Sequence, residues 1–213
     1  MTRPSSEPAA RLFVAADLPA EALQAISAWQ EAELRPHPEL RVVHTLHLTL
    51  CFLGNVPRAR GDDIVAALRV VALPRLPTSV AEPLFLPERG RKRVVALRLD
   101  DPGGAIVAVQ QELSRRLAAL RVYKPERRAY LPHVTVARYR QPGAELPLQN
   151  VNFPAFGLPQ VTLYDSVLAR GGAVHTPLAS FPAGQPDAAA GQTHGPAGQP
   201  DESVGQPDGS AGQ

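Results

Sequence analysis

Leu46-His47-Leu48-Thr49-Leu50 has a counterpart later in the chain, Pro132-His133-Val134-Thr135-Val136. Each reads His, apolar, Thr, apolar. In an extended strand alternate side chains share a face, so each His and its Thr point one way and the aliphatic residues point into a core. The surroundings repeat as well. Arg11-Leu12-Phe13-Val14-Ala15-Ala16 is a short apolar run stopped by Asp17-Leu18-Pro19, and a helical pattern precedes His47. Arg93 to Leu99 is a second such run, and another helical pattern precedes His133. Both units read strand, helix, loop, His-x-Thr strand, which predicts two similar lobes whose marked strands meet in a cleft.

The remaining segments fit around this repeat. Pro19 suits the first turn of a helix, with Leu23, Ile26 and Trp29-Gln30 on one face up to Pro36-His37-Pro38. The first marked strand, Leu46 to Leu53, is expected to close at Gly54-Asn55-Val56-Pro57. Asp62-Asp63 open a second helix with Ile64, Leu68 and Val71 as its stripe. Thr78 to Leu86 and Arg93 to Leu99 read as strands around a basic turn, Pro87 to Lys92. A third helix is predicted from Gly104 to Leu120, then a loop from Arg121 to Pro132. Val161 to Leu168 and Val174 to Leu178 read as a hairpin about Gly171-Gly172. Residues 1–10 are a polar lead-in and 11–180 the folded domain. Residues 181–213 repeat Gly-Gln-Pro-Asp with hardly a large apolar side chain, and are expected to be a disordered tail.

At 213 residues and 44% hydrophobic content, the chain can bury one large core or two lobes sharing one. A formal charge of +2 does not suggest a polycation that coats DNA. The one cysteine, Cys51, excludes an internal disulfide and a Cys-rich zinc site, and its apolar neighbours predict a buried, inert thiol. No apolar run approaches the roughly 20 residues that span a bilayer, and Met1 to Pro8 lacks the apolar core of a secretory signal. The expectation is a cytoplasmic protein with no membrane association.

A single His-x-Thr is common on half-exposed strands; two in matching places of a repeat point to chemistry. Imidazole gives or takes a proton near neutral pH, so two across a cleft can serve as base and acid in one displacement. The Thr hydroxyls can donate to anionic oxygens between them, which suits in-line transfer at a phosphoryl group. Arg138 can add positive charge, although on an alternating strand it points away from His133 unless a bulge or the strand's end reorients it. A metal site competes, but neither stretch has a carboxylate at ligand spacing and there is no His-Glu-x-x-His. No Gly-x-Ser-x-Gly elbow supports a serine nucleophile.

Arg11-Leu12-Phe13-Val14-Ala15, His47-Leu48-Thr49-Leu50-Cys51-Phe52-Leu53-Gly54 and Pro132-His133-Val134-Thr135-Val136-Ala137-Arg138 together resemble the RNA 2′,3′-cyclic phosphodiesterases, also called 2′-5′ RNA ligases, of the 2H phosphoesterase superfamily. The resemblance runs from about Arg11 to Leu178. It implies an α+β fold (bilobal α/β), with two pseudo-symmetric lobes, antiparallel-rich sheets lining a central cleft and helices outside. It implies metal-independent hydrolysis of a 2′,3′-cyclic phosphate end to a 2′-phosphate, without a cofactor. By motif position the resemblance implies that His47 is the proton donor and His133 the acceptor. Thr49 and Thr135 hold the phosphate, and Arg138 matches a basic residue after the second motif. Phe52 stacks on a base or packs, with the core favoured; Arg128 and Tyr130 are further candidate base or RNA contacts. Arg89, Arg91, Lys92 and Arg93, and separately Lys124, Arg127 and Arg128, are either phosphodiester contacts or solvated turns. The expected partner is RNA with 2′,3′-cyclic phosphate ends, such as tRNA halves, bound by a monomer. Ligation follows if an RNA 5′-hydroxyl replaces water. A non-catalytic nucleotide-binding module is the alternative.

Overall fold

The computed structural model describes residues 8–169 and 172–184. In chain order its elements are β1 (Ala9–Ala16), α1 (Ala20–Trp29), β2 (Leu40–Val42), β3 (Leu48–Pro57), α2 (Gly61–Arg69), β4 (Pro77–Thr78), β5 (Val80–Leu86), β6 (Lys92–Leu99), α3 (Ala105–Ala119), β7 (His133–Gly143), β8 (Phe156–Gly157), β9 (Gln160–Ala169) and β10 (Gly172–Pro182). The mixed α+β fold is mostly antiparallel sheet.

Each unit of the repeat forms a strand pair. β1 lies antiparallel to β3, and β6 antiparallel to β7. The two halves are one continuous sheet, ordered β10-β9-β1-β3-β7-β6-β5, with β2 also on β7. The expected two sheets are thus fused at β3 and β7, which share a single registered pair, Leu48 opposite Val134. Both are fully buried. The aliphatic positions of the two motifs therefore form the seam of the core and leave the His and Thr positions on the other face.

The helices cover the apolar side. α3 presents Ile106, Val109, Leu113 and Leu117 to the core and packs on β3. Leu120, expected on that stripe, is its half-buried cap. The Asp101 carboxylate caps α3, accepting from the Ile106 and Val107 amides at 3.1 and 2.9 Å. α2 buries Ile64 and Leu68 as its stripe predicts, and packs on α3. α1 buries Ala22, Ile26 and Trp29; Leu23 is only half-buried. Pro19 is the residue before the helix rather than within its first turn. A π-helical turn, Gln30–Leu34, continues α1 and buries Gln30 and Leu34.

Several boundaries depart from the sequence reading. β3 does not close at Gly54 but bends through it at φ +72° and pairs with β1 as far as Pro57, because glycine permits the left-handed bend. Thr78 to Leu86 is two strands: β4 pairs with β8, whereas β5 joins the main sheet on β6. β2 was not foreseen; three residues carry too little periodicity to register. β10 reaches Pro182, and the Gly184 amide donates to the Leu73 carbonyl at 2.8 Å, so the order runs past the expected end of the domain. Most of the lead-in, the tail from residue 185 and residues 170–171 of the hairpin turn lie outside the described residues. Among the described residues no helix is long and apolar enough to cross a membrane.

Candidate active site

The Leu48–Val134 pair sets the geometry. Antiparallel order about it places position 47 across from 135, and 49 across from 133, so each His faces the Thr of the other motif. His47 itself lies one residue before β3, not inside the strand as expected.

Both marked strands then break their alternation at the same motif position. Along β3, Cys51 pairs with Val14 and Thr49 with Ala15, leaving Leu50 as an extra residue. Along β7, Ala137 pairs with Val95 and Thr135 with Ala96, leaving Val136 as an extra residue. Each bulge buries two consecutive residues, Leu50-Cys51 and Val136-Ala137. The residue three after each Thr thereby returns to the face of that Thr. On β3 that residue is Phe52; on β7 it is Arg138. This answers the objection to Arg138, which an unbroken strand would have pointed away. It also corrects the reading of Phe52 as a core residue: its side is turned out, and it is 48% exposed.

A buried glutamine reaches each bulge from the opposite half. The Gln30 side-chain amide, in the π-helical turn after α1, donates to the Val136 carbonyl at 2.9 Å and the Val43 carbonyl at 2.8 Å. Gln110, on α3, donates to the Leu50 carbonyl at 3.4 Å. The Val136 carbonyl also accepts from the Val43 amide at 2.9 Å, so Gln30 uses its second lone pair and ties the bulge to the loop before His47, while Gln110 supplies a donor to the other bulge. Gln30→Leu is expected to lower unfolding stability by about 1–3 kcal/mol, since the half-buried Val43 carbonyl loses its side-chain donor and the buried Val136 carbonyl loses one of two. Urea unfolding of the variant measures this.

The bulges open a cleft of about 680 Å³ lined by strands and by the loop before His47, with no helical residue among the lining described. His47, Thr49, Phe52, Thr135 and Arg138 line it, as do Arg11, Arg41 and His175. No acidic side chain lies among the described lining residues, so the cleft is built for an anion. Its floor is Phe13, whose ring sits 4.9 Å from both His47 and His175 and 5.2 Å from Tyr164.

His133 stands half-buried at the start of β7, beside rather than within the lining. Its Nδ1 lies 2.8 Å from the Leu131 carbonyl. A carbonyl only accepts, so Nδ1 carries the hydrogen and Nε2 of the neutral ring is left to take a proton. His47 has the equivalent backbone partner, the Thr45 carbonyl two residues before it, which favours its charged form. Burial outweighs this, and with the neighbouring His175 lowers the His47 pKa to about 4. Asp17 and Arg138 pull weakly in opposite directions. Asp17 is fixed by the Gln160 amide, the Thr162 hydroxyl and the Tyr164 hydroxyl at 2.7, 2.9 and 2.8 Å.

Other sequence candidates are placed elsewhere. The Tyr130 hydroxyl donates to the Thr49 carbonyl at 2.8 Å, closing the gap where the β3–β7 ladder stops; Tyr130 does not line the cleft. Arg128 is exposed on the loop before β7 and does not line it either. Lys92 is no RNA contact: it is buried, donates to the Pro87 and Glu88 carbonyls, and pairs with Glu145 at 2.9 Å. Cys51 is buried as expected, and burial pushes its thiol up to about 12. Among the described residues no group of three or more His, Cys, Asp or Glu is gathered as around a metal ion.

Comparison with known proteins agrees with this arrangement. Residues 18–152, spanning both motifs, match the 2′-5′ RNA ligase superfamily. This chain belongs to that superfamily. A relative in Escherichia coli K12, named RNA 2′,3′-cyclic phosphodiesterase, is 32% identical over 180 residues, covering 81% of this chain and 96% of the relative. A Geobacillus stearothermophilus protein of the same name is 32% identical over 196 residues, covering 86% of this chain and 60% of that protein. The crystal structure of E. coli LigT complexed with 3′-AMP superposes with a TM-score of 0.71 at 28% identity, covering 84% of this chain and all of the other.

Within this superfamily member, sequence reasoning missed Arg11, Arg41 and His175 as cleft residues. In the sequence Arg11 marks only the start of an apolar strand. Arg41 arrives on the short β2, opposite Arg138. His175 belongs to no motif, and only the order of β10, β9 and β1 carries it to His47, ring centroids 5.3 Å apart.

Proposed function

We propose that this chain hydrolyses the 2′,3′-cyclic phosphate ends of RNA to 2′-phosphates, with His47 and His133 as acid and base. The observation that carries the reading is the pairing of the two His-x-Thr motifs about Leu48 and Val134, with a matching bulge in each strand. The names of the E. coli and Geobacillus relatives support the same reaction. Water attacks the cyclic phosphorus and gives a proton to Nε2 of His133. The bond from phosphorus to the 3′-oxygen breaks, and His47 protonates that oxygen, leaving a 2′-phosphate and a free 3′-hydroxyl. Thr49, Thr135 and Arg138 hold the non-bridging oxygens as charge builds on them. With an RNA 5′-hydroxyl in place of water, the same atoms join two ends 2′-5′ without ATP. Cleaved tRNA halves belong to the substrate class.

The test is a product assay on RNA ending in a 2′,3′-cyclic phosphate, reporting which oxygen keeps the phosphate. A 2′-phosphate is expected; a 3′-phosphate contradicts the assigned leaving group. Binding without product points to the nucleotide-binding module. Preincubation with EDTA is expected to leave the rate unchanged. A strong loss restored by a divalent ion transfers the chemistry to a metal.

A further inference from the structure

The wall of the cleft on the β1–β9–β10 side carries polar groups that the reaction above does not use. Arg11, Ser166 and His175 sit on these three consecutive strands of the sheet. Ser166 is directly opposite His175 across the β9–β10 ladder. An Arg11 guanidinium nitrogen donates to the Ser166 hydroxyl oxygen at 3.1 Å, which frees the hydroxyl proton to be donated elsewhere. Ser166 is 3% exposed and still borders the cavity, so its hydroxyl is set into the wall. Nδ1 of His175 is buried and has no hydrogen-bond partner among the described residues. Arg11 makes no ion pair among them either, and Asp165, the neighbouring acid on β9, is engaged by Arg58 at 3.4 Å. A positively charged group of donors set into the cleft wall, its neighbouring acid held by another arginine, selects an anion.

We propose that Arg11, Ser166 and His175 form a second anion subsite, which holds the phosphodiester on the 5′ side of the nucleotide whose cyclic phosphate is opened. This rests on the cyclic phosphodiesterase reading. In RNA those two phosphates flank one ribose, and here the His175 ring stands one ring away from His47. The Arg11 guanidinium lies 4.7 Å over the Phe52 ring, so it occupies an aromatic face that a base would use and offers charge in its place. The subsite makes the enzyme prefer an RNA end to a cyclic mononucleotide.

The experiment compares kcat/KM for a 2′,3′-cyclic mononucleotide with that for a dinucleotide ending in a 2′,3′-cyclic phosphate. Wild type is expected to favour the dinucleotide by about tenfold, the effect of one charge-assisted contact. Arg11→Gln is expected to bring the ratio towards one, while Arg11→Lys retains most of the preference and controls for folding. A wild-type ratio near one, or a ratio unchanged in Arg11→Gln, overturns the subsite. Should wild type open neither substrate, the hydrolase reading fails instead. The subsite is then read from titration of a dinucleoside monophosphate, where weaker binding to Arg11→Gln upholds it and equal binding overturns it.

Discussion

Replacing His133 with alanine is expected to lower kcat for opening a 2′,3′-cyclic phosphate end by about 10²- to 10⁴-fold, with little change in KM. The reason lies in how the ring is held. Its Nδ1 hydrogen is committed to the Leu131 carbonyl at 2.8 Å, so one tautomer is imposed and the accepting nitrogen is presented without a search over orientations. The strand that delivers it is fixed at Val134, buried opposite Leu48, and tied to β3 by the Tyr130 hydroxyl. Alanine removes the base and leaves the phosphate-holding hydroxyls in place, so substrate binding persists. Circular dichroism establishes that the variant is folded, and steady-state assays give the rate. Near-wild-type turnover by folded His133→Ala removes the two-histidine mechanism.

His47→Ala is expected to reduce kcat to a similar degree, and it has a second consequence that does not depend on activity. Burial lowers the His47 pKa to about 4, against an ordinary value near 6.5. Between those values the unfolded chain binds a proton that the folded chain excludes, so stability contributed at neutral pH is lost as the pH falls from about 6.5 to about 4. The linked change is about 3 kcal/mol, and it disappears in His47→Ala. Urea midpoints at a series of pH values measure it. A wild-type curve flat across this window contradicts the burial argument. For catalysis, a donor that is neutral in the free chain must gain its proton in the complex. The negative charge of a cyclic phosphate beside it provides the drive. The His47 ring resonances are accordingly expected to titrate at higher pH when an unreactive phosphate ester fills the cleft.

The repeat, the order of elements and the reactive residue types were legible in the sequence because they are local properties. A short apolar run, a helical stripe and a His two residues from a Thr each declare themselves within a few positions. Arg138 shows where that ends. Its distance along the chain from His133 argued against it, and only the bulge at Val136 turned it into the cleft. Phe52 was misread for the same reason on the other strand. Lys92 resembled its exposed neighbours in a basic turn, yet the Pro87 and Glu88 carbonyls and Glu145 enclose it.

By itself the sequence determined that two strands each present a His and a Thr on one face, and that both arise in matching units. Only the tertiary structure decided that the two faces join about Leu48 and Val134, that each strand bulges one residue past its Thr, and that Arg11, Ser166 and His175 complete one wall. Register belongs to a pair of strands and not to either one, so it has no signature in the spacing of a single segment.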